Sequence, residues 1–139
     1  MALHRLLITY PIALAIFFAI DMVWLGWLSG DFYERHIGHL LGPVNWFAAL
    51  AFYLLFIAGI VIFSVRAGLE AQSPRRAAIW GALYGFFTYA TYDLTNMATL
   101  RDWPVILVFV DIAWGVFICA SVGFLTTATA LKISNLAGE

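Results

Sequence analysis

Three carboxylates, Asp21, Asp93 and Asp111, stand inside stretches that are otherwise made for lipid. An Asp at the centre of a membrane helix costs about 2.5–3.5 kcal/mol on insertion scales. Such groups normally face a bundle interior or a wet cavity, and they mark sites for protons, ions or ligands. Polar partners lie close by in sequence: Tyr89, Tyr92 and Asn96 around Asp93, and Asn45 at the head of a long apolar run. Asp21 and Asp111 are each followed three residues on by a tryptophan, Trp24 and Trp114. That spacing puts acid and ring on neighbouring parts of one helix face.

This set supports binding of a cation, a proton or a small cationic ligand. Asp21, Asp93 and Asp111 supply the charge, Asn45, Tyr92 and Asn96 act as second ligands, and Tyr89 lies one turn below Asp93. Trp24 and Trp114 form the walls through cation–π contact. No Lys or Arg lies beside the acids in these stretches, so at least one carboxyl is expected to hold a proton, or the set to share a cation. For a metal, the oxygen-rich ligand set favours a hard ion such as Na⁺, Mg²⁺ or Ca²⁺. His36 and His39, at i, i+3, form a further metal candidate.

Other chemistries lack their signatures. There is no G-x-S-x-G, no Walker-type loop, no G-x-G-x-x-G and no paired-cysteine motif, and the identity of any cofactor is left open. The single cysteine, Cys119, sits in an apolar stretch as a small buried hydrophobe. Two other classes fit the acids. One is a membrane enzyme acting on lipid by carboxylate acid/base chemistry. The other is an accessory subunit whose acids tie helices together by hydrogen bonds.

The elements that must position these residues follow from composition. Of 139 residues 64% are hydrophobic and 11% charged, against about 25% charged in a soluble domain. Residues 36–65, 77–92 and 112–131 carry no Lys, Arg, Asp or Glu. A spanning helix takes roughly 20 apolar residues. We therefore expect an all-α polytopic membrane protein, a four-transmembrane-helix bundle, with 1–139 forming a single transmembrane domain. The spans fall at about 6–28, 44–65, 77–98 and 105–130. Ser29-Gly30, Gly42-Pro43, Ser73-Pro74 and Pro104 mark the breaks. The basic start and apolar run at the N-terminus are expected to form a retained first helix, since no small-x-small cleavage site follows.

Arg5, Arg66, Arg75, Arg76 and Lys132 fall on one side of these spans, Arg35 and Arg101 on the other. The first side is then cytoplasmic, with both termini inside, in the inner membrane of a bacterial cell. The lipid bilayer is the expected partner and a homodimer a further one; the net charge of −1 gives no case for nucleic acid. Trp27, Trp46 and Trp103 read as an aromatic belt near the outer boundary. At 1.5 Å rise per residue, all three acids lie roughly 8–11 Å below that boundary. The first and fourth spans run oppositely, so Trp24 and Trp114 are expected to bracket the acidic layer from above and below. On the third span Gly81, Gly85, Tyr89, Asp93 and Asn96 share one face, whose Gly81-x-x-x-Gly85 end lets a neighbouring helix come close.

Asp21-x-x-Trp24-Leu25-Gly26, Phe32-Tyr33, Asn45-Trp46, Phe52-Tyr53, the block Tyr89-Ala90-Thr91-Tyr92-Asp93-Leu94-Thr95-Asn96 and Asp111-x-Ala113-Trp114-Gly115 together resemble a known family. It is the domain of unknown function 2177 family of small bacterial integral membrane proteins. The resemblance covers about residues 6–130. It implies a multi-span bacterial membrane protein and carries no activity with it.

Overall fold

A helix pairs its own backbone polar groups along its length, as a chain this apolar requires in lipid. The computed structural model describes residues 3–138, and every regular element among them is helical. Helix α1 runs Leu3–Leu28 and closes in a π-helical turn, Trp24–Leu28. Helix α2, Gly30–Ile37, is short and continues into one 3₁₀ turn, Gly38–Leu40. Helix α3 runs Trp46–Glu70, with a π-helical turn at Val61–Val65. Helices α4, Pro74–Thr99, and α5, Val105–Ala137, complete the chain.

Local chemistry sets the boundaries. The Asn45 and Ser73 side chains each accept a hydrogen bond from the backbone three residues on, capping α3 and α4. Pro74 opens α4, where its missing N–H costs nothing. Gly138, at φ 74°, ends α5 in the left-handed conformation that glycine adopts freely. By length and hydropathy α1, α3 and α5, of 26, 25 and 33 residues, can each cross a membrane. The connection between the first two expected spans holds α2, because the chain turns at Ser29 and starts a fresh helix.

The distribution of side chains is inverted relative to a water-soluble bundle. Phe47, Leu55 and Trp27 are among the most exposed residues, whereas Asp93, Ser64, Thr126 and Thr127 are fully buried. Polar atoms inside and apolar ones outside suit lipid as the surrounding solvent.

The tightest pairing is the antiparallel α4–α5 hairpin. It depends on glycine where backbones touch. A Cβ on Gly85 would run into the Gly115 carbonyl, and one on Gly81 into the Cys119 carbonyl. The small-residue face expected on the third span therefore does bring a neighbour close. Lower on α3, the turn around Val61–Val65 packs against α4, and Ser64 Oγ donates to the Ala77 carbonyl at 2.7 Å. Higher up, α3 leans on α1 and parts from α4. The uppermost hydrogen bond between them among the described residues comes from Tyr84, whose hydroxyl lies over Gly59 and donates to the Phe56 carbonyl at 3.1 Å, with Phe56 edge-on to Tyr89 just above it. Beyond Tyr84 the two helices splay into a cleft.

Candidate functional site

Asp93 is wholly buried, and neither of its carboxyl oxygens accepts a hydrogen bond from a protein donor. Its carboxyl faces that of Asp111 across the α4–α5 contact. The Trp103 indole N–H also turns towards Asp93 but stays outside hydrogen-bond geometry. Asp111 is better supplied: the Tyr33 hydroxyl donates to its Oδ1 at 2.8 Å, and Trp24 Nε1 donates to that hydroxyl at 3.2 Å. Tyr33 comes from α2, so this short helix folds back over the bundle end. Burial first, and then the Asp111 carboxylate, push the Tyr33 phenol above its ordinary range. It remains a donor.

Asp21 sits across the bundle on α1. The Tyr53 hydroxyl of α3 donates to its Oδ2 at 3.0 Å, and the Trp114 indole N–H faces the same carboxyl. The acid–tryptophan pairs of α1 and α5 are thereby crossed: Trp114 serves Asp21, and Trp24 reaches Asp111 through Tyr33. Between the two acids the rings of Trp24 and Trp114 stack, with centroids 4.3 Å apart and planes 9° apart. The expected bracketing of the acids from above and below is not what forms. Adjacent antiparallel helices bring both rings to one level, where they cover each other.

Two cavities meet at Asp111. The larger, of about 420 Å³, lies in the cleft between α3 and α4 and is lined by Phe52, Phe56, Thr88, Tyr89, Tyr92 and Asp111. The smaller, of about 150 Å³, has Asp21 and Asp111 in its wall, together with Tyr53, Tyr89 and the stacked tryptophans. Tyr89 borders both. Its ring lies flat where a Cβ on Gly115 would be, and its hydroxyl has no protein hydrogen bond among the described residues.

Other expected site residues land elsewhere. Asn45 is exposed and spends its Oδ1 on the Ala48 N–H, at 3.1 Å, as the cap of α3. Its side chain serves there as the cap of α3. Tyr92 is half exposed at the cleft mouth and edge-on to Trp103. His36 Nδ1 meets the Phe32 carbonyl at 2.8 Å, and His39 Nε2 lies 3.9 Å from Asp102. Among the described residues no three of His, Cys, Asp and Glu gather where a metal could sit, and no Lys or Arg pairs with the three acids. Residues not anticipated in the site are Tyr33, Tyr53, Phe52 and Phe56. Tyr53 had a signal, for it lies about seven residues into its span, at the same depth as the acids.

An all-helical membrane protein, with a carboxyl pair buried behind an aromatic-lined cleft, is the class this fold and geometry define. The chain belongs to the family described as "Predicted membrane protein (DUF2177)", whose model matches residues 6–128. No curated protein and no solved structure matches it.

Proposed function

We propose that this protein binds a cation at Asp111 in exchange for a proton held between Asp93 and Asp111, as a binding or transport protein of the bacterial inner membrane. The observation that carries this reading is Asp93, buried with both oxygens unsupplied and its carboxyl against another carboxyl. Two such groups side by side, without a basic partner, are stable with one shared proton or with a cation between them. Asp111 has the Tyr33 donor and suits the charged role. Asp93 has none and suits the protonated one.

In this reading α4 is a fourth span. Its 26 residues reach about 39 Å, enough for the hydrocarbon core, and its lower hydropathy comes from the polar residues it turns inward. The basic residues Arg5, Arg66, Arg75, Arg76 and Lys132 then put both termini in the cytoplasm, and the acids open towards the outer side.

The test uses purified full-length protein, with Asp93→Asn and Asp111→Asn alongside the unmodified chain. Infrared spectroscopy across a pH titration reads the protonated carboxyl band. The reading expects one band in the unmodified protein that both substitutions remove or shift. A band untouched by either substitution overturns it.

A further inference from the structure

We propose that the ligand is a hydrophobic organic cation that enters sideways from the membrane, through the cleft between α3 and α4, and meets Asp111 at its inner end. This rests on the proton-sharing pair above and names the class of molecule that pair serves.

Size and lining point away from a bare metal ion. The cavity of about 420 Å³ falls within the range of about 300–1,000 Å³ that accommodates drug-sized ligands. A hard ion such as Ca²⁺ takes roughly 6–8 oxygen ligands at 2.3–2.6 Å. Here one carboxylate stands among Phe52, Phe56, Tyr89 and Tyr92, and no metal-sized cluster of ligating residues forms among the described residues. Aromatic faces with a single buried acid suit a cation wrapped in apolar groups, held by cation–π contact and apolar burial together.

The route in is set by what is closed. Towards the bundle end, Tyr33 covers Asp111, Trp24 backs Tyr33, and Trp103 stands edge-on to Tyr92. Sideways, α3 and α4 part above the Tyr84–Phe56 tie, and the mouth is framed by Phe52 and Tyr92, 47% and 56% exposed. Elsewhere on α3, Phe47 and Leu55 are apolar and exposed. A solute already dissolved in the bilayer meets an open aromatic door, while towards the bundle end the Tyr33 hydroxyl stands over Asp111. The cation replaces the shared proton as the single positive charge beside the Asp93–Asp111 pair, one charge for one, and the displaced proton goes to bulk water. The titratable groups facing Asp111 are Asp93, Tyr89 and Tyr92 of α4, Tyr33 of α2, Asp21 of α1 and, across the smaller cavity, Tyr53 of α3.

The experiment places the full chain in nanodiscs of phosphatidylethanolamine and phosphatidylglycerol and titrates tetraphenylphosphonium in weakly buffered solution. Binding is read by calorimetry and proton release by an indicator dye. Expected is saturable binding with proton release, no competition from sodium or potassium chloride, and at least about a tenfold loss of affinity in Thr88→Trp, which fills the cleft. Phe52→Ala, on the exposed rim, should lose about three- to tenfold and guards against misfolding of the bulkier variant. Tetraphenylphosphonium binding unchanged in both variants overturns the lateral route. Proton release by sodium or potassium, with none by tetraphenylphosphonium, overturns the organic ligand. In both cases the infrared carboxyl band still reports the proton-sharing pair. Loss of that band's dependence on Asp93 and Asp111 is the separate failure of the underlying reading.

Discussion

Trp24 and Trp114 stack face to face at 4.3 Å, each on the helix of one acid and each turned to the needs of the other. Stacked aromatic pairs contribute about 0.5–1.5 kcal/mol beyond area burial. A double-mutant cycle of Trp24→Leu and Trp114→Leu, followed by denaturant unfolding in detergent, should return a coupling of that size. A coupling near zero would mean that the rings merely coincide.

Tyr33→Phe keeps the ring and removes the donor to Asp111. A hydrogen bond to a charged group contributes about 1.5–3 kcal/mol, and here that loss falls on the docking of α2. Protease cleavage within residues 29–45 should speed up by at least about tenfold, while α4 and α5 stay protected.

The same contact sets a pH dependence. Docking raises the Tyr33 phenol above its ordinary value, so the docked state holds the proton more tightly than the undocked one. The stabilisation is complete below about pH 10, where an undocked phenol is still protonated. It is lost progressively as pH rises from there towards the docked value. Protection of residues 29–45 should therefore be flat through neutral pH and fall only in strong alkali. A fall centred near neutrality would exclude Tyr33 as the titrating group.

Gly85→Ala presses a methyl into the Gly115 carbonyl, a backbone atom with nowhere to go. Overpacking of this kind costs about 1–3 kcal/mol. Gly26→Ala, where an added Cβ meets nothing within 4 Å, should leave thermal stability unchanged or slightly higher. The contrast between the two melting temperatures is the measurement.

Asn45→Ala should destabilise by about 1 kcal/mol through loss of the α3 cap, and Asn45→Ser should recover most of it. Neither change should alter the infrared carboxyl titration. An altered titration would restore Asn45 to the site.

How far these features can be read in the sequence depends on what each signal encodes. Apolar runs mark α1, α3 and α5 plainly. In α4, Arg75, Arg76 and the inward polar residues dilute the same signal. Carboxylates inside apolar runs singled out Asp21, Asp93 and Asp111, all of which are buried, and counting residues from a span's end gave their depth. Depth says nothing about direction around the helix or about which helices are neighbours. So the facing of Asp93 with Asp111, the stacking of Trp24 on Trp114 and the exposure of Asn45 were all invisible to it. Tyr33 meets Asp111 across 78 positions of sequence, through a fold-back of α2 that no local pattern announces.

The crossed acid–tryptophan pairs also bear on biogenesis. As the chain is made, α1 enters the bilayer carrying Asp21, whose partners Tyr53 and Trp114 lie on α3 and α5. Asp93 likewise waits for Asp111 on the last helix. An unfinished or wrongly threaded chain leaves these carboxyls in lipid without their partners, a cost that only the arrival of the final helix removes.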